Sequence, residues 1–153
     1  MTVRHEDLYE ALGIIYDSVE HERNKLNWHL NGSFNLLVQG IDLQVKDLDI
    51  ETDEAGLQIF REKLKEFLLE DKYRSDIEAH SLIFDISGIQ IEILAHDNPE
   101  LAMINQSRHI NLEEMNIPIL PFEQAKRFYK MIGMDEKVKL IEEHLALLGS
   151  LDV

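Results

Sequence analysis

Two aspartates separated by one residue are the first candidates for chemistry in this sequence. They lie within Lys46-Asp-Leu-Asp-Ile50, where acidic and apolar residues alternate as in a β-strand, predicted here over Asp47–Glu51. Side chains alternate between the two faces of a strand, so Asp47 and Asp49 would point the same way, about 7 Å apart. Such a pair can bind a hard cation, and Mg²⁺ commonly takes one or two protein carboxylates plus waters and substrate phosphates. A solvated turn is the alternative, because the chain has 30 acidic residues.

A third carboxylate, Glu92, is the one charged residue in the β-branched run Ile89–Leu94. A carboxylate in a largely buried strand costs free energy unless it is paired, hydrogen-bonded or bound to a cation. If this strand lies beside the strand of Asp47 and Asp49, three carboxylates converge on one face, which favours a metal site. The alternative is an exposed strand face on which Glu92 is simply solvated.

A third feature, Asn31-Gly32-Ser33, lies between a predicted strand and a predicted short helix. Glycine allows close approach of a phosphate to the backbone, and the first turn of a helix offers free N–H groups. The Ser33 hydroxyl would add another donor. Alternatively, these residues are an ordinary turn in which Ser33 caps the helix.

Taken together, the three features resemble the DNA polymerase β-like nucleotidyltransferase superfamily. Its pattern is Gly-Ser at a helix start, then Asp-x-Asp on the next strand, then a carboxylate on a later strand. The similarity covers about residues 26–94 and is strongest to the small antibiotic-type enzymes that adenylylate aminoglycosides or lincosamides. The sequence pattern of these enzymes resembles two stretches of this chain, Trp28-His-Leu-Asn-Gly-Ser-Phe-Asn-Leu-Leu-Val-Gln-Gly40 and Lys46-Asp-Leu-Asp-Ile-Glu-Thr-Asp53. The tail from Ile117 through Lys137 also resembles the helical end of such domains.

The resemblance implies a role for each matched residue. Asp47 and Asp49 would be metal ligands for Mg²⁺ or Mn²⁺, and Glu92 would be a further ligand or the general base. Gly32 and Ser33 would contact the triphosphate of the nucleotide substrate. Lys46, which stands where many relatives have Arg or His, could neutralise triphosphate charge or be a solvated lysine. The interval from Ser33 to Asp47 is longer than in the most compact members, so the connection between them must differ.

The remaining pattern predicts the elements that position these residues. Apolar stripes at helical spacing predict helices around Leu8–Val19, Phe34–Val38, Leu57–Leu68, Phe122–Ile132 and Val138–Leu148. Strands are predicted at Leu26–Leu30, Asp47–Glu51, Ser81–Ile86 and Ile89–Leu94, the last two forming a hairpin around Ser87-Gly88. Arg108–Leu112 and Ile117–Leu120 are short edge strands or loops. This order indicates an α/β or α+β fold with a small mixed sheet flanked by helices.

Length and composition place limits on both architecture and partners. The 153 residues, 44% of them hydrophobic, suit a single nucleotidyltransferase-like domain over 1–153, with a core at about 26–94 and a helical part at about 121–150. The chain has no cysteine and a formal net charge of −15. That charge disfavours broad nucleic-acid binding and weakly favours a cationic small molecule as substrate. With no membrane-spanning apolar run and no signal-peptide pattern, we expect a cytoplasmic protein that is able to form homo-oligomers.

Other candidate motifs are weaker. None of the seven histidines forms a zinc-protease motif, although His29 and His96 flank the predicted site closely enough to line it. Walker, Rossmann and Gly-x-Ser-x-Gly motifs are absent from the sequence. The basic residues Lys126-Arg127 and Lys137 to Lys139 are interpreted as solvated helix faces.

Two functional hypotheses of different classes follow from the sequence. The first is a metal-dependent nucleotidyltransferase that moves a nucleoside monophosphate, AMP from ATP, onto a hydroxyl of a small molecule or a protein. The second is a catalytically inactive nucleotide-binding or interaction protein, including a toxin–antitoxin partner, that has kept the fold. A third reading is an acidic domain whose Asp-x-Asp is only a surface turn.

Overall fold

The computed structural model describes residues 3–151, with side chains described as far as Gly149. It contains five α-helices and seven strands. In chain order they are α1 (His5–Val19), β1 (Trp28–Asn31), α2 (Gly32–Val38), β2 (Leu48–Thr52), α3 (Glu54–Lys63), β3 (Leu68–Arg74), β4 (Ala79–Ile86), β5 (Ile89–His96), β6 (Arg108–Leu112), β7 (Met115–Ile119), α4 (Phe122–Met131) and α5 (Asp135–Leu151). Short 3₁₀ helices cover Glu20–Glu22, Lys65–Phe67 and Ile104–Gln106. The α+β prediction is confirmed.

The seven strands form one mixed sheet in the order β3-β4-β5-β2-β1-β7-β6. Strand β2 lies at its centre, parallel to β5 and antiparallel to β1. A second parallel pair joins β1 to β7. The remaining neighbours are antiparallel and consecutive in the chain, as hairpins require. The central position of β2 means that residues on either side of it, both on β1 and on β5, can meet at its surface.

The buried hydrophobic residues form two clusters. The first cluster joins α1 and α3 to one face, where Leu48 and Ile50 of β2 are buried. The second joins α4 and α5 to α2 and to Met103. Because β2 alternates, Asp49 and Glu51 point away from the first cluster and towards the face that α4 and α5 partly cover. The polar face of β2 is therefore enclosed rather than open to solvent.

The structure confirms most predicted elements and corrects two boundaries near the site. Strand β2 begins at Leu48, so Asp47 lies one residue before it. Helix α2 begins at Gly32, with Asn31 at its N-cap position; Ser33 is therefore inside the helix and does not cap it. The uncertain segments near residues 108–120 are both strands, β6 and β7.

One strand, β3, was not predicted. Its sequence Leu68-Leu-Glu-Asp-Lys-Tyr-Arg74 is mostly charged, and its central five residues are exposed. It forms one edge of the sheet, where charged side chains discourage pairing with other chains and mask the apolar signal of a strand. The stripe attributed to a helix over residues 57–68 ends earlier, because α3 stops at Lys63. Within residues 3–151, no helix combines the length and apolar character needed to cross a membrane.

Candidate active site

The strand register places two of the three predicted carboxylates side by side. Asp49 of β2 pairs with Glu92 of β5 on one side and with Asn31 of β1 on the other. Neighbouring residues at one register position share a face of the sheet. Asp47 is exposed just before β2, two residues along the chain from Asp49, and its charge helps to raise the pKa of the Asp49 carboxyl. The reading of the Asp-x-Asp pair as a surface turn unrelated to Glu92 does not fit this arrangement.

The close approach of the Asp49 carboxylate requires glycine at position 32. The φ angle of Gly32 is +63°, in the left-handed region that favours glycine. A Cβ added at Gly32 would lie 3.2 Å from Asp49 Cγ and would overlap Oδ2. The start of α2 and the Asp49 carboxylate therefore touch directly, and only glycine leaves room for both.

The surroundings of Asp49 disfavour the charged form of its carboxyl. Burial raises the pKa of its carboxyl to about 7, and the charges of Glu92 and Asp47 add to the rise while Lys137 opposes it. Among residues 3–149 no side chain or backbone N–H donates a hydrogen bond to it. Paired or hydrogen-bonded carboxylates normally have lowered pKa values. Asp49 is thus a partly exposed carboxyl whose charged form is disfavoured and which accepts no hydrogen bond within residues 3–149.

These carboxylates fit a magnesium ion bound jointly with a phosphate group. No set of three or more His, Asp or Glu side chains in the described residues is gathered closely enough to coordinate a metal by itself. Mg²⁺, however, usually takes only one or two carboxylates and completes its shell with waters and substrate phosphates. The unpartnered Asp49, with Asp47 beside it, offers the hard oxygen donors that such a site needs.

Glu92 is held by two donors from neighbouring strands. Arg74 Nη1 donates to Glu92 Oε2 at 3.0 Å, and the Ser81 hydroxyl donates to the same oxygen at 2.8 Å. The Glu92 side chain is 18% exposed. The alternative of a solvated Glu92 is therefore wrong, because the carboxylate is mostly buried and paired.

Lys137 is a site residue that the sequence interpretation missed. Its ammonium donates to the Ser33 hydroxyl at 2.6 Å, linking the first turn of α5 to the first turn of α2. Its charge also lowers the pKa of Asp49. The interpretation of Lys137 as part of a solvated helix face is wrong. Helical spacing alone could not reveal this contact, since 104 residues separate the partners. Lys46, by contrast, is exposed, and within residues 3–149 it forms no ion pair.

A cavity of about 500 Å³ opens over the carboxylates. Asp49, Glu92 and Gly32 lie on one side of it, and α4 and its connection to α5 supply apolar side chains such as Phe128, Ile132 and Met134. Tyr129 also lines it, and burial together with the charge of Asp49 raises the pKa of its hydroxyl. This combination of an apolar wall and a few polar groups is typical of small-molecule sites.

The two histidines flanking the site differ in position. His96 lines the cavity and packs against Phe128, with ring centroids 5.7 Å apart. His29 does not line it; the ring is fully buried, with Nε2 2.8 Å from Glu51 Oε1 and Nδ1 2.7 Å from the Ser107 hydroxyl. The His29–Glu51 contact is close but lies outside hydrogen-bonding angles. The expectation that both histidines could line the site therefore holds for His96 alone.

Comparisons with known proteins point to one kind of enzyme. Residues 14–147 match the model of the family described as aminoglycoside-2''-adenylyltransferase. A search of curated protein sequences finds no match. A solved structure of a candidate nucleotidyltransferase from Thermotoga maritima is similar, with a TM-score of 0.75, 26% identity, and coverage of 95% of this chain and 96% of that one.

Two antibiotic-modifying enzymes share the fold. The lincosamide antibiotic adenylyltransferase LnuA, solved with lincomycin bound, has a TM-score of 0.60 and 18% identity, covering 93% of this chain and 98% of its own. ANT(2'')-Ia, in complex with adenylyl-2''-tobramycin, has a TM-score of 0.57 and 10% identity, covering 88% and 87%. Because the family model spans most of the sequence, the chain belongs to the aminoglycoside-2''-adenylyltransferase family and is an antibiotic adenylyltransferase-like nucleotidyltransferase.

Proposed function

We propose that the protein transfers AMP from ATP to a hydroxyl of a cationic small molecule, with Mg²⁺ or Mn²⁺ held by Asp47 and Asp49. The observation that carries the proposal is the Asp49 carboxyl, which is flanked by Glu92, contacts Gly32, has a raised pKa and accepts no hydrogen bond within residues 3–149. Leaving such a group uncompensated destabilises the folded chain, and a bound cation would remove that cost. Family membership gives the reaction class; the residue roles are those that the resemblance implies, and the contacts of Asp49 and Glu92 support them.

In this proposal the nucleotide triphosphate lies at the start of α2. Gly32 exposes backbone there, the first turn of the helix offers free N–H groups, and Lys137 already reaches Ser33. A triphosphate could accept from the Lys137 ammonium in place of the Ser33 hydroxyl. The apolar side of the cavity, around Phe128 and Ile132, would then receive the nucleoside or part of the acceptor. Lys46, exposed beside Asp47, remains a second candidate for phosphate charge.

The chemistry that follows is an in-line displacement. Glu92 takes the proton of the acceptor hydroxyl, the oxygen forms a bond to the α-phosphorus, and the bond to the leaving pyrophosphate breaks. The bound metal would supply charge neutralisation at the attacking and leaving oxygens. Asp47 and Asp49 would hold that ion, and Lys137 would help to hold the departing phosphates.

A cationic acceptor is supported by charge. The chain carries a net charge of −15, and Asp76 lines the same cavity as Asp49 and Glu92. An acidic surround raises the local concentration of cationic ligands and speeds their association. We therefore propose an aminoglycoside-like compound as the acceptor, in line with the description of the family.

The proposal is tested with ATP labelled at the α-phosphate, MgCl₂, and tobramycin or lincomycin as probe acceptors. We expect labelled acceptor from the wild-type protein, and a loss of at least about 100-fold for Asp47→Asn and for Asp49→Asn. Glu92→Gln should lose about 10²- to 10⁴-fold, the usual contribution of a general base. Asp42→Asn removes the same charge from an exposed position and should retain activity. Full activity of both Asp49→Asn and Glu92→Gln would overturn the proposed site.

A further inference from the structure

Arg74, at the end of edge strand β3, bridges two carboxylates of the cavity wall. Its Nη1 donates to Glu92 Oε2 and its Nη2 donates to Asp76 Oδ2, both at 3.0 Å. The guanidinium is therefore oriented at two points and cannot rotate freely about one contact. Both of its partners line the cavity that contains Asp49.

Ser81 completes the hold on Glu92 from the neighbouring strand β4. The serine is fully buried, and its hydroxyl donates to Glu92 Oε2, the same oxygen that Arg74 contacts. Within residues 3–149 no donor reaches Oε1. One oxygen of the carboxylate is therefore fixed by two donors, and the other retains its lone pairs.

Two register partners at the same level of the sheet thus have opposite surroundings. Glu92 has an ion-pair partner and a hydroxyl donor, whereas Asp49 forms no ion pair and accepts no hydrogen bond within residues 3–149. A metal ligand needs both charge and access to the cation, so a carboxylate already neutralised by a guanidinium is the poorer ligand. A base needs one oriented oxygen with a free lone pair, which is what Glu92 offers.

We propose that Arg74 is a positioning residue for Glu92: together with Ser81 it fixes Oε2, reserves Oε1 for the proton of the acceptor hydroxyl, and keeps Glu92 out of the metal site. The inference rests on the proposed function, which assigns Glu92 to the reaction. The proton passes from the acceptor oxygen to Oε1, while Arg74 remains protonated and bound to Oε2 throughout. Asp47 and Asp49 are left as the protein's metal ligands.

The test compares wild type, Arg74→Gln, Arg74→Lys and Arg61→Gln. Arg61 provides the matched control, since it also pairs with an aspartate, Asp71, and is 28% exposed against 33% for Arg74. We measure kcat and KM for ATP with tobramycin or lincomycin, and Mn²⁺ affinity by electron paramagnetic resonance without nucleotide. Thermal unfolding of each variant shows whether it is folded.

The expected result is a split between kcat and KM. Arg74→Gln should lower kcat about 10- to 100-fold, as loss of an orienting partner usually does, with KM for ATP changed less than about twofold. Arg74→Lys should recover part of the loss, and Arg61→Gln should behave as wild type. In a Glu92→Gln background, adding Arg74→Gln should cost less than about twofold more, because the two residues act as a unit.

Mn²⁺ affinity gives a readout that needs no acceptor. Freed from Arg74, Glu92 can join Asp49 at the cation, so Arg74→Gln should bind Mn²⁺ about three- to tenfold more tightly than wild type. This gain should vanish in the Glu92→Gln background.

The outcomes separate the inference from the proposed function. A wild-type protein that transfers AMP or binds Mn²⁺, with Arg74→Gln unchanged in both measurements, overturns the role of Arg74 alone. An equal loss in Arg74→Gln and Arg61→Gln does the same, since it indicates a general effect of losing an ion pair. A folded wild-type protein that neither binds Mn²⁺ nor transfers AMP overturns the proposed function and the inference together.

Discussion

Asp49 and Glu51 lie two residues apart on strand β2 and point to the same face, yet they have opposite environments. Glu51 is 1% exposed, lies 2.8 Å from the His29 ring and accepts a hydrogen bond from the Met103 backbone N–H at 3.0 Å. Asp49 has no donor among the described residues, and its pKa is raised to about 7. The protein gives the Glu51 carboxylate hydrogen-bonding and ionic neighbours, whereas the Asp49 carboxylate is repelled by Glu92 and Asp47. We infer that Glu51 serves the fold and Asp49 serves the reaction.

The largest expected effect is on stability, from removal of the Glu51 carboxylate, which lies against His29 and accepts from the Met103 N–H. Glu51→Ala should lower the free energy of unfolding by about 3–5 kcal/mol, because it leaves the His29 ring and the Met103 N–H without their partner. Urea unfolding followed by circular dichroism measures this loss. Glu51→Gln keeps the shape and an acceptor for the Met103 N–H, so it should recover most of the stability. A loss below about 1 kcal/mol for Glu51→Ala would remove the distinction between the two sites.

Removal of the unsatisfied carboxylate should have the opposite sign. Asp49 has a folded pKa of about 7 against a reference value of 3.8, so between these pH values the folded protein holds a proton that the unfolded chain releases. The stability of the wild-type protein should therefore fall as pH rises through this window and level off above it. Asparagine is neutral throughout, so Asp49→Asn should lack this slope.

The expected gain for Asp49→Asn in EDTA at pH 8 is roughly 2–4 kcal/mol, fading to no difference below about pH 4. Unfolding of both proteins at a series of pH values measures it. The variant would be more stable and inactive, as expected for a residue that destabilises the fold in favour of function. Equal stability at every pH would contradict the raised pKa.

Gly32 also tests the difference between Asp49 and Glu51, because Asp49 occupies the space that a side chain at position 32 would need. Gly32→Ala should destabilise the protein by about 2–3 kcal/mol, from positive-φ strain and from displacement of the carboxylate. Gly88 is the matched control: its φ is +81° and a Cβ added there would meet nothing within 4 Å. Gly88→Ala should therefore cost only about 1 kcal/mol of strain and leave activity unchanged. An equal effect of the two substitutions in both assays would show that contact with Asp49 is unimportant.

The smallest expected effect concerns the cation that moderates Asp49. Lys137→Met should weaken ATP binding about 10- to 100-fold through loss of a charged hydrogen-bond donor. Lys139→Met changes an exposed lysine on the same helix and should leave ATP affinity unchanged. Isothermal titration of ATP with MgCl₂ measures both. Unaltered affinity in Lys137→Met would place the triphosphate away from the start of α2.

Much of the central site could be predicted from the sequence because it depends on local geometry. The apolar and acidic alternation predicted a strand that carries Asp49, although β2 begins only after Asp47, and the strand-to-helix turn predicted Gly32, which contacts Asp49. The pairing of Asp49 with Glu92 depends on the order of β2 and β5 in the sheet, which periodicity does not specify. Family resemblance supplied that information.

Other site residues could not be predicted from the sequence, either because their partners are distant in the chain or because their strand has no apolar pattern. Arg74 belongs to an edge strand whose charged residues leave no alternation of apolar and polar positions to recognise. Lys137 contacts Ser33, which lies 104 residues earlier in the chain. Glu51 continues the acidic alternation of Asp47 and Asp49 in the sequence, but its role appears only when His29 is found opposite to it on β1. Sequence alternation identifies which carboxylates share a face, and only the tertiary partners show which of them is free to act. The single-domain organisation remains a prediction.

The most direct test of this account is the binding of Mg²⁺ with a non-hydrolysable ATP analogue to wild type, Asp49→Asn and Glu51→Gln, measured by isothermal titration. We predict that Asp49→Asn loses at least about tenfold in affinity, while Glu51→Gln, folded and structurally conservative, binds as wild type does. Equal losses in the two variants, or full affinity in Asp49→Asn, would contradict the assignment of Asp49 to function and Glu51 to structure.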